Sequence, residues 1–497
     1  MQDKHTICLL NDAFPPIIDG VSNAVVNYGR VIEQKLGHSL VVAPEMPGAD
    51  DSAYEFPVIR YPSIDTRKLV GYVTGYPFSP EAAHRIREEK SELLHVHCPM
   101  MSCFLARQLS ESMDLPLVLT WHTKYDIDIA NAIRNKALQE SAINTLIRNV
   151  SACDEVWTVS KGAGENLRSL GFEGDYIVMP NGVDLPHEEA ARKITGKLSG
   201  AYDLPEGVPR FLFIGRLMWY KGLRIILDAL ARLNKENVDF RMIFVGGGGD
   251  EEEVKAYAAE LGLGKKVIFT GVVSDRSLLR AWYTLADLFL FPSTFDTNGL
   301  VVREAAACNT ASVIIRNSCA SEGVKDGRNG FLIEENAESL ASKIRSLIRA
   351  PEKMKTVGLT AGNEIYISWE DSVTHAYERY CVVIDKYRSG EYGKRLPYDY
   401  DFFKAQGELM ETLGEIDAAG QSLKKEAQAF RDDIDRSMRS LRNKALTEAI
   451  TAGYETRREL QNLKNETGQL LQSKKDAALE GLESARREIL EALDRYL

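Results

Sequence analysis

Two doubly wound α/β domains facing one another, followed by a long helical extension, are what the sequence predicts. Three observations carry that prediction: apolar runs alternate with helical patterns twice over, a polar connection separates the two series, and composition changes after residue 397. The first series is ICLLND, SLVVAPE, LLHVHCP, LVLTWHT and EVWTVS, several rich in Val, Ile or Thr, each followed by turn residues and a helix-period run. The Gly- and Pro-punctuated stretch MPNGVDLPHEEAARKITGKLSGAYDLPEGVP interrupts the rhythm, and FLFIG, RMIFVG, VIFTG, LFLFPS and SVIIR restart it. This places one domain at 1–190, a second at 200–368 and a helix at 369–390, beginning WEDSVTHAYERYCVVIDKY. Ligands of such sheets bind beyond the carboxyl ends of the strands, so two facing sheets enclose one cleft.

The extension over 398–497 contains no proline, and Leu409, Leu413, Ile416, Leu423, Ala427, Phe430, Ile434 and Leu441 recur at helical spacing. That spacing marks a narrow apolar seam. Gly414 and Gly420 weaken the seam and its register slips near GYETRREL, so a hairpin lying on its own domains and an oligomerising coiled coil fit equally.

A chain of 497 residues exceeds one ordinary core, and 44% hydrophobic with 27% charged residues is a soluble globular composition. The apolar run in MQDKHTICLLND is too short for a signal peptide or membrane helix, and no later stretch reaches spanning length without charges. A cytoplasmic protein is expected. Its seven cysteines are scattered without CxxC spacing, which suits reduced thiols, and a net charge of -11 argues against general binding to nucleic acid or anionic lipid.

Two motifs carry chemistry. In GRLMWYKGL a strand ends and a helix begins near Gly222, where free amides and the positive helix end favour an anion. Arg216 adds a planar fork and Lys221 a mobile point charge, a pair suited to a diphosphate; alone, the pair reads equally as solvated surface cations. In LFLFPSTFDTNGLVVREAAA, Pro292 ends a strand, Thr297, Asn298 and Gly299 turn into a helix starting near Leu300, and Gly299 permits close approach to the backbone. Asp296 in the loop and Glu304 on the helix can face one cleft and accept hydrogen bonds from sugar hydroxyls. Alone, they would be a helix cap and an ordinary helical glutamate.

Taken in this order, strand-G-R-L-x-x-x-K-G and then P-S-x-x-[ED]-x-x-G-L-V-x-x-E-A resemble the retaining GT-B glycosyltransferases of family four (group 1), most of all those that glycosylate lipids such as diacylglycerol. The resemblance, spanning roughly residues 5 to 387, implies two facing Rossmann-like domains, the first for the acceptor and the second for the donor. It implies that Arg216 and Lys221 bind the nucleotide diphosphate, Glu304 the ribose, and Asp296 with the amides at Asn298, Gly299 and Leu300 the donor sugar. FPPIIDGVSNAV would bring Gly20 beside the phosphates, PNGVD also matches, and His122 of WHTKY takes the place of a histidine near the reacting sugar carbon. Where many lipid-glycosylating members have E-T-Q-G, this chain has Asp296, Thr297, Asn298 and Gly299, with acid and amide each one methylene shorter. That departure puts the sugar in question.

The implied activity is retaining, metal-independent transfer of a hexose from a nucleotide-diphosphate sugar, UDP-linked in the first instance, with no cofactor. The implied acceptor is a lipid, which adds peripheral contact with the inner face of a membrane; a soluble sugar or glycan is the alternative. A rival reading is a non-catalytic sugar-nucleotide-binding protein that assembles into homo-oligomers through its helical tail. Three further signals are set aside. In FVGGGGDEEE the third glycine of a dinucleotide fingerprint would fall on Glu251, so Asp250 is expected as a helix N-cap. In HVHC, His95 and His97 share one strand face without a second ligand cluster, so a strand entering the cleft is expected, with His97 reaching toward the acceptor. NAIRNKALQESAINTLIRNV, with Arg134, Lys136 and Arg148, reads as a domain helix, with a membrane-surface helix as the alternative.

Overall fold

The computed structural model describes residues 4–17, 19–66, 73–77, 79–133, 135–185 and 188–393. The chain divides into two compact units, residues 1–63 with 72–398 and residues 64–71 with 399–497, and both main sheets lie in the first. The predicted seam over 398–497 and Arg134 lie outside the described residues.

Among the described residues the first sheet comprises β1 (Thr6–Leu10), β2 (His38–Pro44), β3 (Val58–Tyr61), β4 (Leu93–Val96), β5 (Leu117–Trp121), β6 (Glu155–Thr158) and β7 (Ile177–Val178), in the order β3-β2-β1-β4-β5-β6-β7. The second comprises β8 (Arg210–Ile214), β9 (Arg241–Val245), β10 (Val267–Phe269), β11 (Leu288–Phe291), β12 (Ser312–Ile315) and β13 (Phe331–Ile333), in the order β10-β9-β8-β11-β12-β13. All their pairings are parallel. Central strands such as LVLTW and RMIFV are buried throughout, because helices cover both faces of a parallel sheet. The predicted runs all became strands. In these two sheets the strands without a predicted run, β3, β7 and β13, are each at a sheet edge and four residues or shorter.

This topology places the site. Strand order reverses between β1 and β4 and again between β8 and β11, and a crevice opens at the carboxyl ends of strands where such a reversal occurs. The loops leaving β1, β4, β8 and β11 carry Gly20, His97, the Arg216–Lys221 segment and the Asp296–Leu300 segment.

The helix Trp369–Arg388 packs on the first sheet, although it follows the second in sequence. Trp369, Val373, Ala376, Tyr377, Tyr380, Val383 and Ile384 recur at helical spacing and join Ile7, Leu9, Val41, Leu93, Val118 and Trp157 in one core. Each fully buried side chain of this kind contributes about 1.5–3 kcal/mol. PNGVD secures the return: Val183 N–H donates to Ile367 O at 3.0 Å, and Ser372 Oγ donates to Pro180 O at 2.7 Å. Gly182 is needed at this crossing, because a Cβ there would lie 2.4 Å from Ser368 O.

Candidate active site

β8 ends at Ile214, a single 3₁₀ turn covers Trp219–Lys221, and Gly222 at φ 78° passes the chain into the helix Leu223–Lys235. Leu223, Ile226, Leu227, Leu230 and Leu233 of that helix are fully buried, which anchors the loop from its far side. The glycine run after β9 holds the near side. Leu217 N–H donates to Gly247 O at 2.9 Å, and a Cβ on Gly246 or Gly248 would lie 2.0 Å from Gly215 O or 2.4 Å from Leu217 O. The glycines therefore let two strand-to-helix loops touch. Asp250 stands at the N-cap position but does not cap its helix, contrary to expectation: its Oδ2 accepts from Trp219 N–H at 2.8 Å and braces the first loop.

The Arg216 and Lys221 side chains divide their surroundings. Arg216 is exposed, and its guanidinium opposes the rise that burial imposes on the pKa of Asp128, from the facing domain. Lys221 is 7% exposed, not mobile at the surface as the sequence suggested. Its Nζ lies 2.6 Å from Asp296 Oδ1 and over the Phe295 ring, 5.3 Å from the centroid, while Asp296 Oδ2 accepts from Ser293 Oγ at 2.6 Å. Gly222 closes this contact, since its Cα lies where any Cβ would be 1.9 Å from Pro292 O.

Gly299, at φ 59°, leads into the helix Leu300–Ala307. Glu304 on that helix is buried, with Oε1 3.1 Å from Arg276 Nη1 and Oε2 accepting from Tyr283 Oη at 2.9 Å. Each oxygen keeps a lone pair for a ligand hydroxyl. Asn298 buries both polar atoms of its amide with no partner among the described residues, an unmet hydrogen-bonding capacity in the middle of the loop. Gly20 begins the helix Gly20–Val31 in open space, but the amides of Val21 and Ser22 already donate to Asp19.

His122, just past β5, is 5% exposed and meets this loop through its backbone: Thr297 Oγ1 donates to His122 O at 2.7 Å. Ser160 Oγ donates in turn to Thr297 O, and Glu322 accepts from Lys161 and Gly162 N–H at 2.7 and 2.6 Å, capping the helix Lys161–Ser169 from the other domain. Ser160 and Glu322 were missed by the sequence reading, and Thr297 was read only as a turn residue, since a polar residue gives no sign that its partner lies in another domain. His97 lies below the surface. It is fully buried, with Nδ1 2.9 Å from His122 Nε2.

Buried polar histidines have a measurable consequence. Burial pushes the His122 pKa down to about 3 and, with neighbouring imidazoles, holds His95 and His97 well below the usual histidine range. The unfolded chain takes up these protons near pH 6.5 and the folded chain does not, so their contribution is complete above about pH 6.5 and is lost as pH falls. Denaturation across pH 6.5 to 4.5 should show falling stability, steepening toward roughly 1.4 kcal/mol per pH unit for each imidazole. A flat profile would show that the histidines protonate in the native state.

With this geometry in place, the comparisons are decisive. Residues 18–186 match the family described as Glycosyltransferase Family 4, and residues 196–361 match that described as Glycosyl transferases group 1. The chain belongs to the GT-B glycosyltransferases of group 1 and family 4. This glycosyltransferase is 24% identical over 392 residues to the alpha-monoglucosyldiacylglycerol synthase of Acholeplasma laidlawii, covering 76% of this chain and 95% of that one. It is 22% identical to the enzyme of the same name from Streptococcus pneumoniae, over 79% of this chain and 88% of the other. A D-inositol 3-phosphate glycosyltransferase of Pseudarthrobacter chlorophenolicus is 26% identical, over 60% and 72% of the two chains. Among solved structures, sucrose-phosphate synthase from Thermosynechococcus elongatus superposes with a TM-score of 0.61 at 20% identity, over 77% of the glycosyltransferase and 100% of that chain, which supports the shared fold.

Proposed function

We propose that this glycosyltransferase moves a hexose, glucose first among the candidates, from a UDP-sugar to a diacylglycerol-type lipid, retaining anomeric configuration without a divalent metal. The observation that carries this reading is the 2.6 Å contact between Lys221 and Asp296. It joins a cation suited to a leaving diphosphate to a carboxylate suited to sugar hydroxyls, so the bond between them is the one to break. Arg216 and the amides at the start of the helix Leu223–Lys235 add fixed positive potential, the electrostatic task a metal performs elsewhere. In the proposed step the anomeric carbon–oxygen bond to the diphosphate breaks and a carbon–oxygen bond to the acceptor forms on the same face. The acceptor proton passes to the departing phosphate oxygen.

The lipid acceptor is supported by relatives that span nearly their whole length and are named for diacylglycerol glycosylation. Their names also specify an alpha product, and transfer from an α-linked UDP-hexose to an α-glycoside is retention. A soluble acceptor is the second reading, supported by the relative named for inositol phosphate. No helix among the described residues is long and apolar enough to cross a membrane.

The test offers UDP-glucose, UDP-galactose and GDP-mannose with diacylglycerol vesicles or soluble sugars, with and without EDTA. The expected result is an EDTA-resistant α-glycosyl lipid from a UDP-sugar. Arg216→Ala should lower kcat by about 10²-fold with an unchanged melting temperature, as for removal of one charge-stabilising donor. Transfer only to soluble acceptors would overturn the lipid assignment, and loss with EDTA the metal-free one.

A further inference from the structure

We propose that Arg276 is a positioning residue: its guanidinium fork grips the Glu304 carboxylate and the backbone of Asp184 at once, and so aims Glu304 at the vicinal hydroxyls of the donor's pentose. This rests on the reading of the donor as a UDP-sugar whose ribose meets Glu304. One nitrogen of the fork, Nη1, lies 3.1 Å from Glu304 Oε1, and the other, Nη2, donates to Asp184 O. Arg276 opens the helix Arg276–Leu285, and Tyr283 stands two turns along the same face. Its Oη donates to Glu304 Oε2 at 2.9 Å, so a single helix holds both carboxylate oxygens.

The two grips differ in kind. Tyr283 is fully buried, and burial, with the Glu304 charge beside it, holds its phenol well above the usual tyrosine range, so it stays a donor. A carboxylate held at one oxygen still swings, because the last torsion of a glutamate is broad. The second donor stops that swing. The Arg276 side chain is 45% exposed and takes its own fixity from Asp184, whose Oδ1 accepts from Trp369 N–H at 3.2 Å and whose Oδ2 accepts from Arg30 Nη2 at 3.0 Å. Its fork therefore spans from an anchored carbonyl to the carboxylate, which the point charge of a lysine does not. Each Glu304 oxygen, committed to one donor, keeps a second acceptor position, and the side chain at 12% exposure is not sealed off. Two acceptor positions side by side on a fixed plane fit a vicinal diol.

The experiment titrates the full chain calorimetrically with UDP, 2′-deoxy-UDP and 3′-deoxy-UDP. The wild-type enzyme should bind UDP at least about tenfold more tightly than either analogue, the loss expected when a hydrogen bond to a charged group goes unmade. Arg276→Ala and Arg276→Lys should each lower that ratio at least about threefold, since a carboxylate free to swing discriminates less well between the diol and its deoxy analogues. Loss of a surface charge alone would weaken all three nucleotides alike and leave the ratio where it was. Glu304→Ala should also lower the ratio, and Arg276→Ala added to it should change the ratio no further, because the arginine acts through the carboxylate.

A smaller fall in Arg276→Ala or in Arg276→Lys overturns the proposal. So does a further fall when Arg276→Ala is added to Glu304→Ala, which would put the arginine on the ribose itself. Should Arg276→Ala fail to fold, Arg276→Lys decides alone. These outcomes leave the UDP-sugar reading standing, whereas a wild-type chain that binds no UDP, or binds all three nucleotides equally, overturns that reading together with the proposal.

Discussion

Lys221→Ala is expected to lower kcat by roughly 10³-fold, the most severe loss for any single side chain of the site. The magnitude is that of removing one preorganised donor from a developing charge, taken at its upper end because Lys221 is buried, where water cannot substitute for it. The same burial ties catalysis to stability. Asp296→Ala would strand the ammonium group in a site 9% exposed, at a cost of about 3 kcal/mol, because an uncompensated buried charge costs more than the pair contributes. Lys221→Met combined with Asp296→Leu should recover most of that stability and none of the activity. Denaturation of Lys221→Met, Asp296→Leu and the double variant gives the coupling directly; additive losses would mean that the ion pair does not form in solution.

Gly222→Ala should be the most disruptive substitution of a single hydrogen by a methyl group around the second sheet, costing more than about 4 kcal/mol or preventing folding. Two effects add. The residue sits at φ 78°, a region that disfavours a side chain, and the new Cβ would lie 1.9 Å from the carbonyl oxygen of Pro292, a backbone atom that cannot rotate aside. Gly20→Ala is the internal control, because nothing lies within 4 Å of its added methyl group. Its melting temperature should hold within the effect of about 0.5 kcal/mol, while a raised donor KM would locate the phosphates beside it. Equal melting temperatures for the two variants would show that the β8 and β11 loops do not meet as described.

Much of this architecture can be read in the letters, and the gaps have physical causes. The buried strands announce themselves because both faces must be apolar, whereas β3, β7 and β13 are short edges with too few residues to make a pattern. GRLMWYKGL and FDTNGLVVREA point to the candidate site, since strand ends, glycines and charges occur there at fixed spacing. Which of those charges is buried is a tertiary fact. Lys221 and Asp296 are 75 residues apart, and nothing local indicates that one neutralises the other. His97 was expected in the cleft because strand alternation gives a face but not a depth. The glycines after β9 imitate a phosphate loop, and their reason appears only when Gly246 and Gly248 are seen against Gly215 and Leu217.

The returning helix has a consequence for how the protein is made. Ile7, Leu9, Val41, Leu93 and Val118 share one core with Ala24, Val25 and Tyr28 and with side chains between Trp369 and Ile384, so part of that core stays open until the ribosome has completed nearly all of the described chain. The later sheet suffers no such wait, since its core draws on residues between Leu198 and Val357. Translation order and folding order are thus inverted: the half built on the second sheet can set while nascent, and the half built on the first closes last.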